Sequence, residues 1–188
     1  MQVILHWMRS NVPQPAQLLV SGSSADAYGA YGAYGAATHD TALRGLDPKA
    51  RSVFLGDSGQ GVTTPEFERV RNRNWNYQLA ASVCAAEAQQ MPDTKVVAKV
   101  VASFPTDRFG QFTSIHDATQ TAFFAQMQSS QPCHAWTNTM GRERLSRQAS
   151  PNFRSYVAQG KTHTILGRRC SSPNSPRACP LRPGWVPF

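Results

Sequence analysis

The sequence predicts an α/β fold in which a mostly parallel sheet is flanked by helices. Short apolar runs alternate with segments of helical periodicity, and the first two runs end in glycine-containing turns. No run approaches the roughly 18 apolar residues of a membrane span, so none is expected. The 188 residues suffice for one domain with a buried core, which we place over residues 1–166. An irregular tail rich in Arg, Pro and Cys is expected over 167–188.

The first half of the chain contains two predicted strands. Residues 2–10 carry apolar side chains at helical spacing, and the prolines that follow end this predicted helix. Residues 17–21 form a short apolar run typical of a buried strand, and Arg51–Asp57 predicts a second strand that ends in a turn. Residues 65–90 are predicted to be mainly helical.

The second half continues the alternation. Residues 95–104 give the strongest strand prediction, because they hold a run of β-branched valines. Residues 117–127 predict a helix with Phe123 and Phe124 facing inward, and Phe153–Ala158 predicts a last strand. In parallel sheets of this kind the chemistry lies at the carboxyl ends of the strands.

Charge and cysteine content limit the partners that we expect. The net charge of +8 raises nucleic-acid binding as a hypothesis that rests on charge alone. The basic residues are scattered or lie in the tail, so no nucleic-acid partner is expected. The four cysteines lack CxxC spacing, and we expect no metal; a Cys84–Cys133 disulfide is one open pairing. The first residues lack a signal-peptide pattern, and no localisation is assigned.

The segment Gly22-Ser23-Ser24-Ala25-Asp26 follows the first predicted strand. Strand, G-x-S-x-G and helix together form the nucleophile elbow of α/β-hydrolases, in which a sharp turn exposes the serine oxygen. We therefore predict an α/β-hydrolase-like fold, with Ser24 as the nucleophile and the Ala25 N–H as an oxyanion donor. Asp26 replaces the final glycine, and its bulk and charge are expected to weaken catalysis.

A serine nucleophile needs a histidine base and an acid that orients this base, and on this fold the acid precedes the histidine in the chain. His163 lies in a loop after the last predicted strand, where the fold places its base. His39 is too close in sequence to the elbow, and His134 is expected to be solvated in a polar loop. Three residues compete for the role of the acid: Asp57, Asp107 and Asp117.

Four segments, taken in their order along the chain, together resemble a known protein family. They include the elbow, the Gly56-Asp57-Ser58-Gly59 block, the Asp117-Ala118-Thr119-Gln120 motif and the segment around His163. Together, from about Leu5 to Leu166, they resemble the pectin acetylesterase family, which also contains the Notum lipid-ester hydrolase, and most closely its bacterial members.

The resemblance implies a catalytic triad of Ser24, Asp117 and His163, with Asp57 as the runner-up acid that more readily structures a turn. Asp107 is expected to be exposed. The implied activity is hydrolysis of carboxylic esters, such as acetate esters, lipid esters or lactones, through an acyl-serine intermediate. No cofactor is implied. Members of the family are often secreted.

The chain departs from the family at both ends. Only some 20 residues precede the elbow, where the family has further strands and a glycine-rich loop with a second oxyanion donor, and the match stops after Leu166. We therefore expect an incomplete, truncated fold with an exposed sheet edge that a second copy could cover. The alternative function is a catalytically weak or inactive hydrolase-like fragment that binds a partner or self-associates.

Overall fold

In the part of the chain that the structure describes, four parallel strands form a sheet in which sequence neighbours are also spatial neighbours. The structure, a computed structural model, describes residues 2–12, 15–31, 51–75, 91–127 and 134–167. The strands are β1 (Gln17–Ser23), β2 (Arg51–Asp57), β3 (Arg108–Ser114) and β4 (Phe153–Ala158). The helices are α1 (Gln2–Asn11), α2 (25–31 as far as described), α3 (Pro65–Asn74), α4 (Asp93–Ser103), α5 (Ala118–Met127) and α6 (His134–Gln148). The protein is therefore of the α/β class.

The parallel register aligns the carboxyl ends of the strands. Ser23, the last residue of β1, pairs with Asp57, the last residue of β2, and Asp57 pairs with Phe112 of β3. Ser114 of β3 pairs with Ala158 of β4. The segments that leave the four strands consequently start from one edge of the sheet.

A row of phenylalanines forms the centre of the core. Phe54, Phe109 and Phe153 occupy matching positions on β2, β3 and β4, and each is fully buried. Tyr31 of α2 and the valines of α4 pack against this row. A second apolar cluster joins the loop after β2 to α5 and α6 and consists of Val62, Phe124, Trp136 and Met140.

The predicted strand over 95–104 is wrong, because this segment forms α4. Its buried valines are Val96, Val97, Val100 and Val101, a spacing that places all four on one side of a helix. Burial of this apolar face outweighs the preference of β-branched residues for strands. The true third strand, β3, was not predicted because it is rich in small and polar residues that are nevertheless buried.

Several smaller predictions are corrected or confirmed. The strands over 17–21, Arg51–Asp57 and Phe153–Ala158 are confirmed, as is the helix over 2–10. Phe124 faces inward, but Phe123 is 56% exposed. Asp107 is buried rather than exposed, and His134 begins α6 instead of lying in a loop. Residues outside the described part of the chain include Cys84, Cys133, His39 and nearly all of the tail.

Within the described residues β1 is an edge strand, and several apolar side chains on α1 and β1 are exposed. Val3, Ile4 and Trp7 of α1 are 82%, 63% and 59% exposed, and Leu19 of β1 is 61% exposed. Within this part of the structure β1 pairs only with β2. None of the described helices has both the length and the apolar character required to cross a membrane.

The helical placement of the valines predicts a stability difference. Val100→Ala should lower the free energy of unfolding by about 1–3 kcal/mol, because it removes buried methyl groups from the core. Lys99→Ala, at the neighbouring exposed position, should change it by less than about 0.5 kcal/mol. Urea titration followed by circular dichroism measures both values. Equal losses in the two variants would contradict the packing of α4.

Candidate active site

Ser24 lies in a sharp turn between β1 and α2. Its φ angle of 57° is uncommon for a residue other than glycine and costs of the order of 1 kcal/mol or more. The turn is held by two hydrogen bonds: the Ser24 N–H donates to the Asp57 carbonyl at 2.7 Å, and the Ala27 N–H donates to the Ser24 carbonyl at 3.0 Å. This strained turn presents the Ser24 hydroxyl at the edge of the sheet.

Two glycines allow the turn to pack closely. A Cβ atom on Gly22 would overlap the backbone carbonyl of Asp26, and one on Gly59 would lie 2.5 Å from the Ala27 Cβ. The tight approach between strand and helix therefore occurs at Gly22 and Ala27. The Asp26 side chain is exposed, so the steric conflict expected at this position is absent.

The three predicted triad side chains lie within hydrogen-bond distance of one another. The His163 Nε2 atom is 2.8 Å from the Ser24 hydroxyl oxygen. On the other side of the ring, His163 Nδ1 is 2.8 Å and 2.9 Å from the two carboxylate oxygens of Asp117. The Asp117 side chain is fully buried, whereas the His163 side chain keeps 20% of its surface exposed. This geometry allows His163 to accept a proton from Ser24 while Asp117 fixes its ring.

Asp117 also caps helix α5. Its Oδ1 atom accepts hydrogen bonds from the backbone N–H groups of Thr119 and Gln120 at 3.1 Å and 3.0 Å. The Gln120 side-chain amide donates to Oδ2 at 3.0 Å. A capping residue of this kind is held rigidly, and the positive end of the helix dipole favours a carboxylate at this position. The orientation of His163 thus depends on the start of α5.

An amide pair connects this acid to the loop after β2. The Gln120 side-chain amide donates to Gln60 Oε1 at 2.8 Å, and the Gln60 backbone N–H donates to Gln120 Oε1 at 3.2 Å. Gln60 itself donates to the Phe112 carbonyl at 2.7 Å. Neither glutamine was predicted from the sequence to be a site residue, although Gln120 belongs to the motif that contains Asp117.

Asp57, the runner-up acid, holds the loop that carries His163. Its Oδ2 atom accepts hydrogen bonds from the backbone N–H groups of Ile165 and Leu166, both at 2.8 Å, and from the Ser23 hydroxyl at 3.1 Å. The neighbouring Ser58 hydroxyl accepts a hydrogen bond from the backbone N–H of Thr164, in the same loop as His163, at 3.0 Å. Asp57 therefore contacts the backbone of the His163 loop, whereas Asp117 contacts the ring.

Arg147 of α6 is a buried cation that stabilises the same region. Its guanidinium donates to the carbonyl of Gln60 at 3.0 Å, to Gln111 Oε1 at 3.1 Å and to the carbonyl of Thr94 at 3.0 Å. Burial lowers the pKa of Arg147. Sequence reasoning missed this residue because its acceptors lie on three different elements.

An apolar chamber of about 590 Å³ opens beside Ser24 and His163. Its walls come from α2 to α5 and from the loop after β2. Apolar or aromatic residues dominate the lining: Tyr28, Tyr31, Val62, Phe67, Trp75, Val96, Val97, Phe123 and Met127. Burial raises the pKa of Tyr28 to about 12. The chamber can therefore hold an apolar group against Ser24.

The start of α2 offers a hydrogen-bond donor beside Ser24. Ala25 is the first helical residue after Ser24, and N–H groups in the first turn have no partner within their own helix. Such groups stabilise a negative charge. Across the described residues, no cluster of three or more His, Cys, Asp or Glu side chains is suited to hold a metal ion.

Searches against protein families, curated proteins and solved structures find no match for this chain.

The contacts of Asp57 predict the behaviour of the His163 loop. Asp57→Ala should raise the rate of amide hydrogen exchange at Ile165 and Leu166 by about tenfold or more, because both N–H groups lose their carboxylate acceptor. Asp57→Asn keeps one acceptor oxygen and should have a smaller effect. Exchange is followed by mass spectrometry of the peptide that spans the loop. Unchanged exchange in Asp57→Ala would show that Asp57 does not hold the loop.

Proposed function

We propose that this protein is a serine carboxylic-ester hydrolase with an α/β-hydrolase-like fold. The observation that supports this proposal most strongly is the chain of contacts from Ser24 through His163 to Asp117, at 2.8 Å to 2.9 Å. The strained turn at Ser24 and the apolar chamber beside it support the same assignment.

In the proposed mechanism, the Ser24 oxygen attacks the ester carbonyl carbon while His163 Nε2 takes the hydroxyl proton. The negative charge moves to the carbonyl oxygen and is stabilised by the Ala25 N–H. The intermediate collapses as the bond to the alkoxy oxygen breaks, and His163 returns its proton to the leaving alcohol. Water, deprotonated by His163, then attacks the acyl-serine and releases the carboxylic acid and free Ser24.

We also propose that the chain is related to the pectin acetylesterase family. This relationship is supported by the joint order of the elbow, the block around Asp57, the motif at Asp117 and the segment around His163. Acetate esters, other carboxylic esters and lactones are the proposed substrates.

A second candidate function is that of a self-associating module with little or no catalysis. Two observations favour it: the apolar side chains of Val3, Ile4 and Trp7 on α1 and of Leu19 on β1 are exposed, and β1 is an edge strand within the described residues. A module of this kind would hydrolyse esters no faster than its Ser24→Ala variant.

The proposed nucleophile is tested by ester hydrolysis. Ser24→Ala should lower kcat for p-nitrophenyl butyrate by roughly 10³-fold or more, because the acyl-serine cannot form. Ser21→Ala is the matched control: it removes an exposed hydroxyl from the same strand and should leave kcat unchanged. Equal rates for wild type and Ser24→Ala would refute the enzyme assignment and favour the second candidate.

The proposed acid is tested by a pair of isosteric variants. Asp117→Asn should lower kcat by about 10³–10⁴-fold, because an amide cannot stabilise the imidazolium of His163 or hold the required tautomer. Asp57→Asn should lose far less, since its side chain contacts the loop backbone. Steady-state kinetics with a chromogenic ester compare the two. A larger loss in Asp57→Asn would assign the acid to Asp57 instead.

A further inference from the structure

The chamber beside Ser24 is much larger than an acetyl group needs. Its volume of about 590 Å³ falls in the range of pockets that enclose drug-sized ligands, roughly 300–1,000 Å³. Because its lining is mostly apolar, an acetyl group would leave most of this wall without a partner. An apolar chain that extends from the ester carbonyl would gain burial with each added methylene.

The charged residues at the chamber wall already have partners. Arg71 is 2% exposed and pairs with Asp93, and it also donates to the Met91 carbonyl at 3.2 Å. Behind this pair, Glu68 accepts from the Thr63 hydroxyl and from the Asp93 backbone N–H. With Arg71 against the two carboxylates of Asp93 and Glu68, this cluster carries a formal charge of −1, so it disfavours an anionic substrate. The apolar lining around it favours an uncharged apolar group.

The position of His163 indicates which half of the ester occupies the chamber. The leaving alcohol must stay next to His163 Nε2 to receive its proton. His163 lines the chamber from the loop after β4, whereas the apolar walls come from α2 to α5 and the loop after β2. The alcohol therefore leaves along the His163 edge, and the acyl group points into the chamber.

From these observations we propose that the substrates are esters of medium-length, linear aliphatic acids, such as hexanoate to decanoate, with the acyl chain in the chamber. This inference rests on the proposed ester hydrolase activity and adds the acyl specificity. The residue that allows a direct test is Gly29, which lies one helical turn after Ala25 and lines the chamber. A Cβ atom on Gly29 would meet no heavy atom within 4 Å, so a larger side chain can enter without a clash at its first atom.

The experiment compares kcat/KM for p-nitrophenyl acetate, butyrate, hexanoate and octanoate. In wild type, kcat/KM should rise by about fourfold for each added methylene until the chamber is filled. Gly29→Leu should lower the ratio of hexanoate to acetate values by at least about tenfold, because leucine occupies chamber volume. Gly141→Leu is the matched control: Gly141 is also helical with open space at its Cβ, lies outside the chamber lining, and should keep the wild-type ratio.

Phe123→Ala provides a second variant if Gly29→Leu fails to fold, because Phe123 is an exposed chamber residue whose truncation leaves the core intact. It should also lower the hexanoate to acetate ratio. A series of alkyl acetates, from ethyl to hexyl, tests the opposite placement. If Gly29→Leu affects that series and leaves the acyl series unchanged, the alcohol occupies the chamber and the inference is wrong.

The outcomes separate the two levels of the proposal. Two results overturn the acyl specificity but not the hydrolase function, provided that hydrolysis depends on Ser24. One is that acetate is the fastest ester; the other is that Gly29→Leu and Phe123→Ala leave the hexanoate to acetate ratio unchanged. Absence of Ser24-dependent hydrolysis for every ester overturns both. A ratio that rises with chain length in wild type and falls in Gly29→Leu but not in Gly141→Leu supports the inference.

Discussion

The hydrogen bonds of Asp57 connect the turn at Ser24 to the loop that carries His163. The Asp57 carbonyl accepts from the Ser24 N–H, and its carboxylate accepts from Ser23, Ile165 and Leu166. Residues more than 100 positions apart in the chain are thereby fixed relative to each other at the end of one strand. Charge-assisted hydrogen bonds in a buried place are stronger than neutral ones, and this one side chain serves both halves of the site.

A buried polar framework supports Asp117 in a comparable way. Asp117 caps α5, Gln120 joins it to Gln60, and Arg147 ties the Gln60 loop to β3 and α4. Each of these groups would be costly to bury without its partners, so the network favours a single arrangement. The apolar chamber lies directly beside this framework. The site thus combines rigid polar positioning of Asp117 and His163 with an apolar wall beside Ser24.

The sequence allowed the α/β class and three of the four strands among the described residues to be predicted, because β1, β2 and β4 carry local apolar patterns. The prediction for α4 was wrong, because its run of valines is typical of a strand. These valines form a helix that is buried against the row of Phe54, Phe109 and Phe153, and this packing is not visible in the sequence. The structure brings together Ser24, Asp117 and His163, the three residues that the resemblance to the pectin acetylesterase family implied, whereas chain order alone had left Asp57, Asp107 and Asp117 as competing acids. The roles of Asp57 as loop anchor and of Arg147 could not be foreseen, since their partners are backbone groups on distant elements that only tertiary packing brings close.

The central claim is that His163 activates Ser24 as a nucleophile. Its most direct measurement is the rate at which diisopropyl fluorophosphate modifies the protein, followed by intact mass and by mapping of the labelled peptide. The account predicts one phosphoryl adduct on Ser24 in wild type and at least about 10²-fold slower labelling in His163→Ala, because the unassisted hydroxyl is a poor nucleophile. An adduct on another residue, or equal labelling rates in wild type and His163→Ala, would contradict it.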